Sequence, residues 1–327
     1  MEKELLNLLL DKKHNLDIYL DNDKNILKSK RTNYIKKNNI YNFFVNEEIS
    51  DHVTQKQEKF YEEIKFPNYD GLENYSDLLT KSSSTNHFAA ILDNSLPYNS
   101  KILEVGCGTG QLSLFLKRFN RLIFGIDLSN PSLELANEFK ERNEIMNVFF
   151  AKMNIFNLQF KDEIFDYVIS NGVLHHTYDT EKAFKKILKP LKKNGYIVIG
   201  LYHKYGRLYT NFRQFVIQNF GEKFKFLDKR NIDNNISKEK RFAWLKDQYK
   251  NPHETSHTLK EVLSWFDKNN IEYISSIPFE NVSSDTNIFR KTNRKFKNLF
   301  VKELLMMFSP SQIKEGGFFV VVGKKLI

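Results

Sequence analysis

The stretch KILEVGCGTGQLSLFL, residues 101–116, joins a short apolar run to an amphipathic run through a loop that holds three glycines. The apolar run 101–106 predicts a buried strand, and residues 111–119 predict a helix. Glycines let the chain turn tightly and let a ligand approach the backbone without a Cβ in the way. A loop of this kind at the carboxyl end of a strand directs its backbone amides at a ligand. The dinucleotide fingerprint G-x-G-x-x-G is not met, because Gln111 stands where its third glycine belongs.

Beyond this stretch, short apolar runs alternate with amphipathic stretches. Further strands are predicted at 122–127, 147–153, 165–170, 196–202, 271–277 and 316–325, and further helices at 131–142, 180–191 and 258–270. Strands that are apolar throughout and alternate with helices predict a parallel sheet covered on both faces. The predicted fold class is therefore α/β: a doubly wound, Rossmann-like, seven-stranded and mostly parallel sheet with an N-terminal helical extension and two helical insertions.

The chain is predicted to divide into an N-terminal part and one main domain. Residues 1–85 are mostly polar and show no strand-like alternation. The stretch 59–72 is too rich in aromatic residues for an unstructured linker, so this part is predicted to be a helical, aromatic cap. Residues 86–327 form the main domain. Two segments interrupt its pattern and are predicted as insertions: 203–257 as a lid and 281–314 as a basic helical cap.

Composition limits the classes of protein. Of 327 residues 41% are hydrophobic, enough for a buried core, and the single cysteine, Cys107, cannot build a disulfide framework or a thiolate zinc site. The amino terminus lacks a signal-peptide pattern and no apolar run approaches the ~18–20 residues of a membrane span, which predicts a soluble, cytoplasmic protein. The net charge of +10 is spread along the chain, with 40 acidic residues among 50 basic ones, so charge alone does not favour a nucleic-acid ligand.

Several motifs together carry a family resemblance. Residues 104–110, E-V-G-C-G-T-G, resemble motif I of the class I S-adenosylmethionine-dependent methyltransferases. Asp127, in GIDLS, resembles the acid that ends the family's second strand. FDYVISNGVLHHTYD (165–179) resembles its fourth strand and following loop, and LKPLKKNGYIVIG (188–200) resembles the helix, turn and fifth strand. The resemblance covers residues 86–202 well, and 258–277 and 316–325 loosely.

The resemblance implies S-adenosyl-L-methionine as cofactor, S-adenosyl-L-homocysteine as product and no metal. In the family, the acid at the position of Asp127 hydrogen-bonds the ribose hydroxyls, and a carboxylate suits a diol because it offers paired acceptors. Asn154 stands where the family often carries an aspartate that accepts from the adenine amine. The implied cofactor-binding residues are Glu104, Gly106, Cys107, Gly108, Gly110, Asp127, Leu128, Asn154, Ile155 and Asn171.

The sequence gives less information about the residues that contact the methyl acceptor. Methyl transfer from a sulfonium needs alignment and exclusion of water, and it needs a general base only when the acceptor must lose a proton. Tyrosine faces can stabilise a cation, and an arginine can hold an acidic group of a substrate. The predicted catalytic residues are His176, Tyr205 and His257. The predicted substrate-contacting residues are Tyr61, Tyr69, His175, Tyr202, His203, Arg207, His253 and Glu254. Plain packing stays open as the alternative for each of them.

The stretch NPHETSHTLKEV, residues 251–262, contains H-E-x-x-H, the zinc-binding pattern of metalloproteases when it lies within a helix. Here Thr258 and Glu261 predict a capping box ahead of the apolar periodicity, so the helix begins near Thr258 and His257 lies outside it. Two imidazoles on a loop lose the fixed spacing that zinc requires. Zinc proteolysis is therefore rejected, and the segment is predicted to end the lid.

The absence of certain motifs limits the class of molecule that can be the methyl acceptor. The Asn/Asp-Pro-Pro-aromatic run of enzymes that methylate base amines is missing after the fourth strand, where the sequence reads SNGVLHH. The predicted function is transfer of a methyl group to a small molecule in a lidded pocket. Two alternatives stay open: a lipid- or quinone-directed methyltransferase at the membrane surface, and a cofactor-binding module without catalysis. The oligomeric state is left open.

The basic stretch 289–308 bears on the membrane alternative. It ends in an apolar stripe of Leu299, Phe300, Leu304, Met307 and Phe308. A cap over the pocket would bury Leu304 and Phe308 against the domain, and a helix lying on anionic lipid would leave them exposed. The cap is the favoured prediction, and peripheral membrane contact is the alternative.

Overall fold

The computed structural model of the chain describes residues 2–21, 26–44, 51–63, 69, 71–221, 246, 249–279, 287–291, 298–308 and 317–327. The helices in these residues are α1 (Glu2–Leu8), α2 (His52–Glu62), α3 (Tyr75–Thr85), α4 (His87–Ser95), α5 (Gln111–Leu116), α6 (Asn130–Arg142), α7 (Thr180–Ile187), α8 (Leu208–Phe220), α9 (Leu259–Lys268) and α10 (Leu299–Leu305). The strands are β1 (Leu10–Asp11), β2 (Leu16–Asp17), β3 (Tyr19–Leu20), β4 (Ile26–Lys28), β5 (Asn33–Lys37), β6 (Ile40–Asn42), β7 (Lys101–Val105), β8 (Leu122–Asp127), β9 (Val148–Lys152), β10 (Phe165–Asn171), β11 (Leu191–Tyr202), β12 (Ile271–Ile277) and β13 (Phe318–Lys325).

One large sheet organises the chain. Its strands lie in the order β12-β13-β11-β10-β7-β8-β9-β6-β5-β4-β3. The strands from β11 to β6 in this order run parallel, and β13 lies antiparallel between β11 and β12. The chain moves from β7 to β8 on one side and returns to β10 on the other, so the crevice in which such sheets bind ligands lies at the carboxyl ends of β7 and β10. The predicted α/β class with a mostly parallel sheet is confirmed.

The central strands are apolar throughout because both faces of the sheet are covered. On β7, Ile102 belongs to one buried apolar cluster, whereas Leu103 and Val105 belong to the other. Successive side chains of a strand point to opposite faces, so the two clusters lie on the two sides of the sheet. This double burial holds the strand ends, and the loops that follow them, in fixed positions.

The seven predicted strands are present as β7 to β13, but the N-terminal extension, predicted to be helical, contains strands as well as helices. Six short strands lie between residues 10 and 42, and β3 to β6 extend the sheet to eleven strands within the described part of the chain. β6 pairs in parallel with β9, and it is joined to β5 by Asn38 and Asn39, both with positive φ. Two residues with positive φ are what a two-residue hairpin turn requires. The pair Asn38-Asn39 was therefore the missed sequence signal.

The two predicted insertions are described only in part. Within 203–257 the structure contains α8 and an irregular segment, 251–257, whose last residue, His257, pairs with His203 beside the end of β11. Residues 222–245 lie outside the described residues, as does most of 281–297. The predicted start of the helix after this segment is confirmed, because Thr258 caps α9 and forms a capping box with Glu261.

The predicted burial of the α10 stripe is wrong. Leu304 is 39% exposed and Phe308 is 62% exposed. The side of this segment that faces the domain is occupied instead by Glu303 and Met306, which are buried. Residues three apart on a helix share a face, so the apolar stripe points the other way. Among the described residues, no helix has the length and apolar character needed to cross a membrane.

A buried ion pair fixes the amino end of β8. Arg121 and Asp93 are each 1% exposed, and Nη1 of Arg121 donates to Oδ1 of Asp93 at 2.5 Å. Nη2 donates to the backbone carbonyls of Asp93 and Leu96 at 2.8 and 2.6 Å. The guanidinium is thus bound to α4 and to the turn after it, which ties α4 to the sheet.

We expect Asp93→Ala to lower the free energy of unfolding by about 3–5 kcal/mol, because it leaves the buried Arg121 guanidinium without a negative counter-charge. Urea denaturation followed by circular dichroism measures the change. The matched control is Asp162→Ala, which removes the carboxylate of an ion pair with Lys12 that is 60% exposed and should change stability by less than about 1 kcal/mol. Equal effects of the two substitutions would contradict the structural role assigned to the buried pair.

Candidate active site

A cavity of about 480 Å³ opens at the carboxyl ends of the central strands. Nine of the ten predicted cofactor-binding residues line it: Glu104, Gly106, Cys107, Gly108, Asp127, Leu128, Asn154, Ile155 and Asn171. They come from the ends of β7, β8, β9 and β10 and from the loops that follow. The crevice expected from the sheet topology is therefore a formed cavity.

The first and third glycines of the loop are required by packing. Gly106 has φ +75°, and a Cβ there would lie 2.3 Å from a methyl carbon of Val173. Gly110 has φ +73°, and a Cβ there would lie 2.5 Å from the ring of Phe150. Both positions also have a backbone conformation that other residues rarely adopt. Gly110 does not line the cavity, so its predicted contact with the cofactor is corrected to a packing role at the start of α5.

The carboxylate of Asp127 joins the glycine loop to the second strand. Its Oδ2 accepts a hydrogen bond from the backbone N–H of Gly108 at 2.8 Å, and its Oδ1 accepts from the N–H of Ser129 at 2.9 Å. Each oxygen keeps a further lone pair for a ligand. Burial raises the pKa of Asp127, while the backbone N–H groups of Ser129 and Gly108 oppose the rise. The side chain thus offers paired acceptors to the cavity, as a diol requires.

Glu104 lies at the end of β7 with its carboxyl group buried. Ser113 on α5 donates a short hydrogen bond to its Oε2. Burial raises the pKa of Glu104 from 4.5 to about 8, although the Ser113 bond opposes the rise. Because the folded protein then binds more protons than the unfolded chain between these two values, the free energy of unfolding falls as pH rises through that window. A cationic ligand would favour the ionised form.

Cys107 is buried in the glycine loop. Burial raises the pKa of its thiol well above the ordinary value, and nearby Asp127 raises it further. A thiol that stays protonated is a poor nucleophile. Cys107 is therefore not a candidate nucleophile. Two other predicted residues keep amide oxygens here: Asn154 Oδ1 accepts from the N–H of Phe156 at 2.9 Å, and Asn171 Oδ1 is buried without a partner.

The opposite wall of the cavity comes from α2 and from the ends of β10 and β11. Thr54, Gln57 and Tyr61 lie on one face of α2 and all line the cavity. His176 and Tyr202 line it from the sheet side. Of the predicted catalytic and substrate-contacting residues, the structure places His176, Tyr61 and Tyr202 in the cavity. Thr54 and Gln57 were missed, because their position depends on how α2 packs and not on any local pattern.

His176 has a defined tautomer when it is neutral. Its Nδ1 lies 3.0 Å from the backbone carbonyl oxygen of His253, which can only accept a hydrogen bond. Nδ1 therefore carries the proton, and Nε2 keeps the lone pair. The ring edge of Tyr61 packs on His176, with 6.3 Å between ring centroids. The ring of His176 is thus held in one orientation at the cavity wall.

The side chain of Gln57 connects the N-terminal part of the chain to the segment 251–257. Its Nε2 donates to Oδ1 of Asn251 at 2.7 Å and to the carbonyl oxygen of His253 at 2.9 Å. The carbonyl fixes the orientation of the amide, so Oε1 is the free acceptor. Gln57 is 4% exposed, and its Oε1 is buried without a hydrogen-bond partner. A buried acceptor without a donor costs about 1–3 kcal/mol, which a ligand with an N–H or O–H group would offset.

Arg207 and Glu254 bind each other instead of a substrate, which corrects both predictions. Two nitrogens of Arg207, Nε and Nη2, donate to the two oxygens of Glu254 at 2.6 and 2.5 Å. Arg207 is fully buried, and its guanidinium lies 3.4 Å from the centroid of the Tyr202 ring. The pair neutralises its own charges and supports Tyr202 from behind. It leaves no positive charge directed at the cavity.

The remaining predicted residues do not line the cavity, and their roles are corrected to structural ones. His175 is buried behind Tyr202 with 4.1 Å between ring centroids, and burial lowers its pKa well below the ordinary value, so it is neutral. His257 Nε2 lies 3.0 Å from Oγ1 of Thr255. The others contact neighbouring parts of the fold: Tyr69 donates to the carbonyl of Thr109, His203 packs on Phe319, Tyr205 packs on Phe300, and the carbonyl of His253 accepts from Gln57.

The H-E-x-x-H segment has no metal-binding geometry in the described structure. It is not helical, and its glutamate is bound to Arg207. Across the described residues, no three His, Cys, Asp or Glu side chains are close enough together to hold a metal ion. The segment contributes instead to the wall of the cavity, through the backbone of His253.

Comparison with known proteins decides the family. A family model described as a methyltransferase domain matches residues 97–257, which include the glycine loop, Asp127 and His176. The chain carries a class I S-adenosylmethionine-dependent methyltransferase domain. The cofactor of this family is S-adenosylmethionine, and S-adenosylhomocysteine is the product it leaves.

Curated relatives match about a third of the chain. Phosphoethanolamine N-methyltransferase 2 of Caenorhabditis elegans is 34% identical over 36% of this chain and 27% of its own length. A ubiquinone biosynthesis O-methyltransferase of Pelagibacter ubique is 30% identical over 32% of this chain and 43% of its own length. The chain thus spans less than half the length of these two relatives. The structure of PKMT2 from Rickettsia typhi in complex with AdoHcy has a TM-score of 0.54 and 17% identity, and covers 75% of this chain and 53% of that one, which shows a shared fold.

The described residues of the methyltransferase domain fit S-adenosylmethionine. Asp127 offers the two acceptors that a ribose needs, and Glu104 offers a carboxyl group that a cationic ligand would ionise. The bound cofactor supplies a methyl group activated by a sulfonium. The chain supplies the residues that orient it.

We expect Asp127→Ala to weaken binding of S-adenosylmethionine by about 1.5–3 kcal/mol, the range of a charge-assisted hydrogen bond. Isothermal titration measures the dissociation constant, and Asp162→Ala serves as the control because its carboxylate lies on an exposed surface. Unchanged affinity in Asp127→Ala would place the cofactor elsewhere.

The affinity for S-adenosylmethionine should rise with pH up to about pH 8 and then level off, because burial raises the pKa of Glu104 to about 8 and only the ionised carboxylate attracts a cationic ligand. The Glu104→Gln variant keeps the shape of the side chain but does not titrate, so it reports only the ligand's own ionisation. Titration calorimetry at several pH values compares the two proteins. An identical pH dependence would rule out Glu104 as the titrating group.

Proposed function

We propose that the chain transfers the methyl group of S-adenosylmethionine to a small molecule that carries an N–H or O–H group and no anionic group. The observation that carries this proposal is the buried, unpartnered Oε1 of Gln57, a residue that lines the same cavity as the cofactor-binding residues. An acceptor that donates a hydrogen bond there satisfies this oxygen. The donor group is also the nucleophile that methyl transfer needs, or it lies beside it.

The charge of the cavity supports an acceptor without a phosphate or carboxylate. Among the described residues that line it, Glu104 and Asp127 are the ionisable acids, and none is a lysine or arginine. Arg207 is neutralised by Glu254 behind the wall. An anionic substrate would be desolvated without a counter-charge, which is unfavourable. The named substrate of the worm relative, phosphoethanolamine, therefore does not suit this cavity.

His176 is the proposed general base where the acceptor must lose a proton. Its Nε2 keeps the lone pair because Nδ1 is held by the carbonyl of His253. A hydroxyl acceptor needs such a base, whereas a neutral amine can lose its proton after transfer. The proposal thus includes oxygen and nitrogen acceptors.

Helix α2 and the segment 251–257 are proposed to act together as the lid of the pocket. Gln57 bonds the segment, Asn251 Nδ2 donates to the hydroxyl oxygen of Tyr61 at 3.1 Å, and Ser129 Oγ donates to the carbonyl of Tyr61 at 2.8 Å. Lys152 and Glu58 form an ion pair at 2.6 Å that joins the outer side of α2 to β9. These contacts support a closed wall that excludes water during transfer.

The alternative of a module without catalysis is disfavoured by the intact Glu104 and Asp127 in a formed cavity. Calorimetry with S-adenosylmethionine at millimolar concentration separates the two functions. Binding, followed by a screen of small neutral metabolites with donor labelled on its methyl group, supports the transferase. No binding overturns it.

With an acceptor from that screen, Gln57→Leu should raise KM for the acceptor by at least about fivefold, because the hydrogen bond to the acceptor, ~1–1.5 kcal/mol, is lost together with the two that Nε2 donates to Asn251 and His253. The dissociation constant of S-adenosylmethionine should stay within about twofold. The control is Gln55→Leu, on the exposed side of the same helix. Parallel weakening of cofactor binding would mean that the Gln57 oxygen serves the cofactor and not the acceptor.

A further inference from the structure

A smaller pocket lies between the N-terminal strands, β9 and α6. Its volume is about 150 Å³, and in the described part of the chain it shares no lining residue with the active-site cavity. Apolar side chains that belong to one core cluster, or pack against it, line its interior: Leu6, Leu20, Leu27, Phe43, Phe124 and Phe149. Its charged and amide-bearing lining residues are Lys36, Asn39, Asn137, Lys140 and Glu141. The pocket is thus apolar inside and polar at its mouth.

The pocket exists because the pairing of β6 with β9 is short. On β9 this pairing comprises Ala151 and Lys152. Phe149 and Phe150, which precede them on β9, have no paired residue on β6. Both phenylalanines line the pocket, so it occupies the place where the pairing of the two strands ends.

Hydrogen bonds tie the hairpin turn between β5 and β6 to α6 at the mouth of the pocket. Oε1 of Glu141 accepts from Nδ2 of Asn39 at 3.1 Å and from Nδ2 of Asn137 at 2.8 Å. Nδ2 of Asn38 donates to Oε1 of Glu134 at 2.8 Å. The mouth is therefore held in shape by the fold itself, and a ligand that enters it has little to order.

Two lysines place their charges at this pocket without a carboxylate partner. Nζ of Lys36 lies 5.5 Å from the ring centroid of Tyr41, Nζ of Lys140 lies 5.7 Å from that of Phe149, and both rings line the pocket. Neither lysine forms an ion pair with any residue that the structure describes. Burial lowers the pKa of Lys140, Glu141 opposes this, and the charge of Lys36 lowers it further. A bound anion would stabilise both ammonium groups.

We propose that this pocket binds a small organic monoanion whose apolar body is about the size of a benzene ring, such as an aromatic carboxylate. The volume sets the size of the body, since an apolar cavity of ~150 Å³ accommodates benzene, whereas pockets for drug-sized ligands begin at about 300 Å³. The charge sets the head group. Lys36, Lys140 and Glu141 together leave one positive charge at the mouth, which a single carboxylate neutralises.

The active-site cavity does not compete for such a ligand. Among its described lining residues, Glu104 and Asp127 are the ionisable acids and none is a lysine or arginine, so an anion is disfavoured there. The two sites therefore select ligands of opposite charge. Excess S-adenosylmethionine, which is a cation, should leave the small pocket free, and this separates the two sites in an experiment.

The test is binding of 4-fluorobenzoate to the full chain, followed by fluorine NMR. We expect a dissociation constant below about 1 mM, changed by less than about twofold in excess S-adenosylmethionine. 4-Fluorobenzyl alcohol has the same ring without the charge, so it should bind at least about tenfold more weakly. Acetate at equal concentration should not displace 4-fluorobenzoate, because it lacks the ring that fills the apolar interior.

The variant Lys36→Gln/Lys140→Gln removes both charges. It should weaken binding of 4-fluorobenzoate at least about tenfold and leave that of 4-fluorobenzyl alcohol within about twofold. The matched control, Lys37→Gln/Lys117→Gln, makes the same change of charge outside the pocket. Lys37 is exposed on the same strand, and Lys117 lies 4.3 Å from the ring centroid of Tyr75. The control should bind both compounds like the wild type.

Lys36→Gln alone serves if the double variant does not fold, and it should still weaken binding of 4-fluorobenzoate at least about threefold. The proposal is overturned if the alcohol binds as tightly as the carboxylate, if S-adenosylmethionine displaces the carboxylate, or if the variants at the pocket bind it like the wild type. Absence of binding at ~10 mM 4-fluorobenzoate overturns it as well. The assay needs no methyl acceptor, so its failure leaves the transferase proposal standing.

Discussion

The carboxylate of Asp127 holds the cofactor side of this structure together. One of its oxygens accepts from the N–H of Gly108 and the other from the N–H of Ser129, so a single side chain fixes the glycine loop and the start of α6 relative to each other. Its own position is set by β8, which is buried on both faces. Loop, helix and sheet therefore share one point of reference, and the geometry of the cavity follows from it.

The acceptor side depends on a different kind of constraint. Gln57, His176 and His253 lie far apart in the sequence and meet through the backbone carbonyl of His253, which accepts from both side chains. That carbonyl sets the tautomer of the imidazole and the orientation of the amide at the same time. The buried ion pair of Arg207 and Glu254 stabilises this wall of the cavity from behind. The two charges neutralise each other. The wall is therefore polar without being charged.

The cofactor half could be predicted from the sequence because its chemistry is local. The spacing from Glu104 to Gly110 specifies a strand, a turn and a helix, and residues at the ends of parallel strands meet at one edge. The acceptor half could not be predicted, because the sequence around a histidine or arginine does not show whether its side chain faces a cavity or packs against a neighbouring residue. Arg207 was expected to bind an acid, and it does, but the acid belongs to the same chain. The N-terminal strands escaped detection because they are two to five residues long and rich in lysine and asparagine.

The pairing of β6 with β9 has a consequence for how the chain is made. Tyr41 lies beside Ala151 in the sheet, so the N-terminal hairpin has no neighbour for its inner edge until the ribosome has released β9. At ~5–20 residues per second this wait is on the order of ten seconds. During it the unpaired edge of β6 resembles the exposed edges from which strands of different chains associate. Nascent-chain binding to a chaperone should therefore be strongest before residue 152 emerges and should decline after it.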